Sequence, residues 1–488
     1  MSRYSFFLFL VIAFSAGCLE SNHREAGDGV LGGVFCPDCN VILISIDTLR
    51  ADHLGAYGYN RETSAGLDEF AAKSLLFENA YSQATFTLSS HASLLTGLYA
   101  EVHDAEVYRG SGLNDDLTLM AEVFKQEGYD TLSFNGGGAI DVGTNIQQGF
   151  RVYETGGDLS NNFNKTRNWI SENGSRRFFI FIHGYDVHTP YFYPGPFYRE
   201  INPESNVSLK EFRGRIKPIH DCLLRYPDNN SVCVDQGYPE EEVHISSNVW
   251  NAERNHSVSS CNCSVEVLTA LYDDGIYYVD GLFSRFMAEL EGLGKLENTI
   301  IIVTSDHGEE LGERGEVARH GHTVYNELTH VPLIIYVPKQ KPKRIEKNAE
   351  LVDVMPTLFS ITGIKYDGVM QGEDLTKTKA GNLAYSEIKY YNLAKKTLVE
   401  DDLKIILTHK KNYLDFYGEL YNLSQDPGET QSLHNTEGMQ GRAEEIIEKL
   451  SNQALANEKL KEEINPKRYQ IRMNEKQKKR LRDLRYLR

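Results

Sequence analysis

Asn40-Val-Ile-Leu-Ile-Ser-Ile-Asp47 is an uninterrupted apolar run that ends on a carboxylate. A strand with one wet face alternates apolar and polar residues; this run does not, so both of its faces must be covered. Similar runs recur at Thr131–Phe134, Phe178–Ile182, Thr299–Val303 and Pro332–Tyr336. Amphipathic stretches of helical length lie between them, at Leu67–Ser74, Leu119–Gln126 and Val265–Leu293. Strands that alternate with helices predict an α/β fold: a doubly wound, mostly parallel sheet flanked by helices.

The rhythm breaks twice. Residues 193–264 are rich in Asn, Ser, Pro and Cys and show no sustained period, which predicts an insertion over the sheet edge. After Gly363, Ala384–Ile388, Leu403–Thr408, Tyr413–Phe416 and Glu419–Tyr421 read as short strands of a small C-terminal antiparallel sheet. A charged helix at 440–463 and a basic segment follow. The basic segment reads as an amphipathic helix held by Ile471, Leu481 and Leu484. The predicted division is 1–18 signal peptide, 19–37 tether and 38–375 main α/β domain with the 193–264 insertion. Residues 376–435 form a small subdomain, and 436–488 charged helices.

The chain carries 51 Lys and Arg against 69 Asp and Glu, a formal charge of −18. That excess argues against nucleic acid as a partner, because such binding neutralises phosphates. Arg3, the apolar run Phe6–Phe14 and the small residues Ser15-Ala16-Gly17 read as an export signal. Ser15-Ala16-Gly17-Cys18 resembles the lipobox of prokaryotic lipoproteins, which makes Cys18 the expected lipid anchor. The expected location is outside the cytoplasm, at the cell surface or in the periplasm. Of the seven cysteines, Cys36, Cys39, Cys222, Cys233, Cys261 and Cys263 then remain, an even set that suits disulfides in an oxidising compartment.

The polar residues that follow the apolar runs carry the chemistry. Asp47 ends the first run, Asp306 and His307 end another, and His183, Asp186 and His188 follow a third. In open α/β sheets ligands bind beyond the carboxyl ends of the strands. Convergent Asp and His at that edge predict a metal site. Thr85–Gly97 adds hydroxyls ahead of a short helix, with Ser89 or Ser90 as a possible cap. A helix N-terminus accepts anions, and a hydroxyl beside a metal there can serve as a nucleophile.

The ordered set of blocks resembles the sulfatase family of the alkaline phosphatase superfamily. Asp47–Gly58 is similar to that family's first metal-binding segment, and Ser90–Gly97 to its nucleophile helix. Asp186–Tyr191, Ser305–Glu309, Val331–Ile335, Asp353–Thr357 and Glu419–Glu429 extend the likeness over about residues 40 to 430. The resemblance implies the alkaline phosphatase-like fold and hydrolysis of a small anionic ester. The substrate would be a sulfated or phosphorylated glycan, lipid or small molecule.

Departures from the family pattern shift that expectation. Sulfatases convert a Cys or Ser to formylglycine, whereas the matching segment here is Thr87-Leu-Ser-Ser-His91. Threonine cannot form that aldehyde, because its β-carbon carries a methyl group. The second Asp of the first block is Thr48, and the Asn often beside the later Asp is His307. Imidazole in place of carboxylate and amide ligands favours Zn²⁺ or Mn²⁺, with Ca²⁺ or Mg²⁺ as the other options.

The expected metal ligands are Asp47, Thr87, Asp306 and His307. Thr87, His188, His91 and His320 are the expected catalytic residues, with His188 or His183 protonating the leaving oxygen. His183, Asp186 and His322 are candidates for a second metal or an anion. The alternatives are a phosphodiesterase or head-group transferase acting on lipid or glycan, and an inactive binding protein of the same fold.

Overall fold

The computed structural model describes residues 35–191, 193, 195–201, 265–377, 383–390, 393–410, 416–464, 467 and 469–483. The signal, Cys18, most of the tether and most of the 193–264 insertion lie outside these residues, as do Cys222, Cys233, Cys261 and Cys263. Cys36 and Cys39 form a disulfide.

An eight-stranded sheet organises the described chain. From one edge its strands are Lys343–Glu350, Leu75–Tyr81, His330–Tyr336, Thr299–Thr304, Asn40–Ile46, Phe178–Gly184, Asp130–Asn135 and Val152–Thr155. Asn40–Ile46 is central and pairs in parallel with Phe178–Gly184 and Thr299–Thr304. His330–Tyr336 is the exception: it runs antiparallel to both of its neighbours. The doubly wound, mostly parallel reading therefore holds, with one reversed strand inside the sheet.

The apolar runs earn their continuity by feeding two cores. Val41, Leu43, Phe179, Phe181, Ile300 and Ile302 face one cluster. Ile42, Ile44, Phe178, Ile180, Ile182, Ile301 and Val303 face the other. Successive side chains of a strand point to opposite faces, so strands buried on both sides need apolar residues at every position. Each such side chain, once buried, is worth roughly 1.5–3 kcal/mol. Helices Thr87–Thr96 and Val354–Thr362 cover the first face. The long helix Val265–Gly292 covers the second with Leu268, Leu271, Tyr272, Ile276 and Phe283.

A four-stranded antiparallel sheet follows: Leu383–Tyr390, Leu393–Glu400, Leu403–Lys410 and Phe416–Asn422. The strand Leu393–Glu400 was not anticipated; Phe416–Asn422 covers the expected 419–421 strand, and residues 413–415 of the other expected strand lie outside the described residues. Helix Gln440–Ile464 packs on this sheet through Ala443, Ile446 and Leu450. Tyr469–Gln470 then pairs with Ser111–Gly112, and Leu481 is fully buried in the first core.

Candidate active site

The register of the central strands sets the site. Ser45 pairs with His183 on one side and Thr304 on the other. Asp47, His183 and Asp306 therefore leave three adjacent strands at the same edge. Thr48 takes a left-handed backbone (φ 58°), uncommon for a β-branched residue, directly after Asp47. Its N–H donates to Asp306 Oδ1 at 3.3 Å, and its carbonyl accepts from the Tyr272 hydroxyl at 2.7 Å.

Thr87 is the first residue of its ten-residue helix, and no side chain caps that terminus. The capping expected of Ser89 or Ser90 is not made. The Ser89 hydroxyl donates to Ala105 O, and the Ser90 hydroxyl to Asp306 O, both at 2.7 Å. The helix starts earlier than the sequence suggested, and this puts the Thr87 hydroxyl at the positive end of the dipole. Thr87 Oγ1 lies 3.3 Å from Asp47 Oδ2 and 3.3 Å from His307 Nε2.

Hydrogen bonds assign the imidazole roles. His307 Nδ1 donates to Gly308 O at 2.8 Å, which leaves Nε2 as the lone-pair nitrogen beside Thr87. His183 Nδ1 accepts from Gly136 N at 3.4 Å, so its Nε2–H donates to Asp47 Oδ2 at 3.1 Å. His91 donates from Nδ1 to Thr87 O at 2.7 Å and accepts from Ser45 Oγ at 2.9 Å. With both nitrogens engaged, His91 holds the Thr87 backbone from below.

Burial, and then the Asp306 charge, push Asp47 well above the usual carboxylate range. Burial also opposes ionisation of Asp306, yet His307, His91 and His183 hold its carboxyl well below that range. Burial, reinforced by His91, drives His183 far below the ordinary imidazole range. Burial likewise lowers His188 to about 4. Two buried carboxyls this close repel one another when both are charged, so they titrate as a pair.

Asp47 Oδ1 and Asp306 Oδ2 are buried and accept no hydrogen bond. An orphaned carboxylate oxygen costs about 1–3 kcal/mol, more when charged. Asp47, Asp306 and His307 bring ligand atoms within 4.8 Å of one another, as do His91, His183 and Asp306. The donor set and the orphaned oxygens fit a divalent cation.

A second group sits beside the first. His188, Glu309 and His320 bring ligand atoms within 4.8 Å. His320 Nδ1 donates to Glu309 Oε1 at 3.2 Å, and its ring lies 4.5 Å from that of His307. Glu309 Oε2 accepts from the Tyr191 hydroxyl at 2.7 Å. Glu309 was missed as a site residue; its place three residues after Asp306 was the signal available.

The trio His183, Asp186 and His322 is not brought together. His183 stands on Asp47, and His322 stands 3.3 Å from Glu310. Asp186 accepts from Leu159 N and from the Tyr193 hydroxyl, both at 2.8 Å, and so fixes the start of helix Leu159–Asn173.

A hydroxyl at a helix N-terminus, flanked by buried carboxylates and imidazoles at the sheet's carboxyl edge, defines an ester hydrolase. Comparison with known proteins gives the family. The Sulfatase family model matches residues 39–364, and the model for the C-terminal part of N-sulphoglucosamine sulphohydrolase matches 316–457. An arylsulfatase of Clostridium perfringens is 26% identical, covering 82% of this chain and 90% of that protein. Human iduronate 2-sulfatase is 25% identical over 69% of this chain and 66% of its own length.

Among solved structures, a protein in complex with its substrate D-glucosamine-2-N,6-O-disulfate superposes with TM-score 0.67. Its identity is 20%, over 88% of this chain and 99% of that one. A phosphonate monoester hydrolase of Agrobacterium radiobacter gives TM-score 0.63 at 17% identity, over 86% and 96%. The chain belongs to the sulfatase family of the alkaline phosphatase superfamily.

Proposed function

We propose that this chain hydrolyses sulfate or phosphate esters of a glycan-type alcohol with Thr87 as the nucleophile. One observation carries the reading: Thr87 Oγ1 stands 3.3 Å from both Asp47 Oδ2 and His307 Nε2 at an uncapped helix N-terminus. The relatives named for sulfated sugars, and the substrate of the glucosamine disulfate complex, support the alcohol portion. The phosphonate hydrolase neighbour supports a phosphorus ester as the alternative centre.

Asp47, Asp306, His307 and Thr87 would hold the divalent metal. Such an ion supplies Lewis acidity, stabilising charge on the ester oxygens and lowering the hydroxyl pKa. The chain's own groups do the rest. Thr87 Oγ attacks sulfur or phosphorus, and its proton leaves to Asp47 Oδ2, which it already meets at 3.3 Å. The N–H groups of the helix terminus face the oxygens that gain charge. The bond to the alcohol oxygen breaks, and His188 gives that oxygen a proton from its imidazolium form, which a pKa lowered to about 4 by burial confines to acidic pH. Water then cleaves the Thr87 ester, returning the hydroxyl and releasing sulfate or phosphate. An alcohol in place of water would make the same centre a transferase.

The test compares wild type with Thr87→Ala on an aryl sulfate, an aryl phosphate, a bis-aryl phosphate and a phosphonate monoester. We expect a drop of at least about 10³-fold in kcat/KM for the variant. Equal turnover by the two proteins would sink the nucleophile assignment. Turnover of the diester alone would move the reading to a phosphodiesterase. Transfer to an added alcohol in preference to water would move it to a transferase.

No helix among the described residues is long and apolar enough to cross a membrane. The proposed attachment is a lipid on Cys18 after export. Cys18→Ser should move the protein from the membrane fraction to the soluble exported fraction; unchanged partitioning would overturn it.

A further inference from the structure

Glu310 follows the catalytic cluster in the chain but faces elsewhere. It is fully buried, and neither carboxylate oxygen makes a hydrogen bond. Burying a carboxylate without donors is costly, so its environment calls for a cation. Lys395, whose charge attracts Glu310, and Arg319, its partner across the hairpin, make no hydrogen bond to it. Lys395 Nζ donates to Thr323 Oγ1 at 3.2 Å, and Arg319 pairs with Glu316.

His322 Nε2 lies 3.3 Å from Glu310 Oε2, and His322 Nδ1 is a buried nitrogen with no hydrogen bond. Glu310, Glu316 and His322 each offer one ligand atom, all within 4.8 Å of one another. They share no residue with the clusters around Thr87 and His320.

We propose that Glu310, Glu316 and His322 form a separate site for a divalent transition-metal ion, Zn²⁺ by its donor set. One imidazole and two carboxylates suit Zn²⁺ better than the hard all-oxygen shells of Ca²⁺. Ligands about 2.0–2.1 Å from a tetrahedral ion lie about 3.3 Å apart, the separation His322 and Glu310 already show. The fourth position is left to water.

The site clamps the hairpin Glu310–Leu311 and Val317–Arg319. Glu309 and His320 flank that hairpin on the catalytic side. Gly321, at φ 77°, lets the chain turn so that His320 meets Glu309 while His322 meets Glu310. The ion would therefore fix the backbone that carries His320. This inference does not depend on which ester the enzyme cleaves.

Two measurements test it. The full-length protein is stripped with chelator, reloaded with Zn²⁺ alone and analysed for metal per chain. Glu310→Gln and His322→Gln should each bind about one equivalent less than wild type. That loss should add to the loss caused by Asp47→Asn with Asp306→Asn. Wild-type Zn²⁺ content in the folded Glu310→Gln and His322→Gln proteins would overturn the site. So would a loss already complete in the Asp47 and Asp306 variant.

Anomalous diffraction from Zn²⁺-loaded wild-type crystals needs no variant. A peak between Glu310, Glu316 and His322 supports the proposal, and none there refutes it.

Discussion

Thr87, Asp47, Asp306 and His307 were legible in the sequence because each follows or precedes a strongly patterned element. The Thr87 hydroxyl is what the proposed chemistry depends on, so Thr87→Ser should keep measurable turnover where Thr87→Ala does not. Steady-state kinetics on the preferred ester checks this. Gly321 makes a second residue-level prediction. A Cβ there would lie 2.0 Å from the Phe86 ring, on a backbone of φ 77°. Gly321→Ala should cost about 1–3 kcal/mol in chemical denaturation and lower kcat by displacing His320. The role of Glu309 was hidden for a physical reason. A carboxylate one residue past a glycine reads as an exposed turn, and only the fold shows it buried against His320 and Tyr191. The polar atoms of His91 are engaged with Thr87 O and Ser45 Oγ, and those of Asp186 with Leu159 N and the Tyr193 hydroxyl.

Elements with a continuous apolar run or a clear helical period were readable, and those without were not. Lys343–Glu350 forms an edge strand parallel to Leu75–Tyr81, yet its sequence, Lys-Arg-Ile-Glu-Lys-Asn-Ala-Glu, is charged. Charge suits an edge because it discourages pairing with another chain, and for the same reason it erases the strand signal. Leu75–Tyr81, which follows its helix with no breaker beyond Ser74, was not anticipated either. The turn after Lys343–Glu350 carries its own prediction. Burial, then the charge of Asp353, raises Glu350 well above the usual carboxylate range, and burial raises Asp353 to about 7. A carboxyl with a raised folded pKa holds its proton more tightly than the unfolded chain does. Its stabilising contribution is complete below about pH 4 and is lost as pH rises through about 7. Each such carboxyl contributes a slope of up to about 1.4 kcal/mol per pH unit in that window. Glu350→Gln keeps the acceptor for Tyr385 N and Gln83 and should flatten the slope. Denaturation series between pH 4 and 8 measure it.

At the scale of the whole molecule, metal and tail both act on stability. An ion that binds only the folded protein adds RT ln(1 + [L]/Kd), about 2.7 kcal/mol at a hundredfold excess over Kd. Chelation should therefore lower Tm as well as abolish turnover, and added Zn²⁺ or Mn²⁺ should restore both, as calorimetry and assay can show. The segment around Tyr469–Asp483 docks against the front of the catalytic portion through Leu481 and the Ser111–Gly112 pairing. Leu481→Ala should cost about 2–5 kcal/mol in equilibrium unfolding. The central place of Asn40–Ile46 has a consequence for biosynthesis. Its two partner strands arrive at different times, Phe178–Gly184 first and Thr299–Thr304 much later. Until the ribosome has delivered the later strand, the growing polypeptide presents an apolar strand with one unpaired side, a template for association with other nascent chains. Association of nascent chains is therefore expected to peak over that interval and to fall once Thr299–Thr304 has paired.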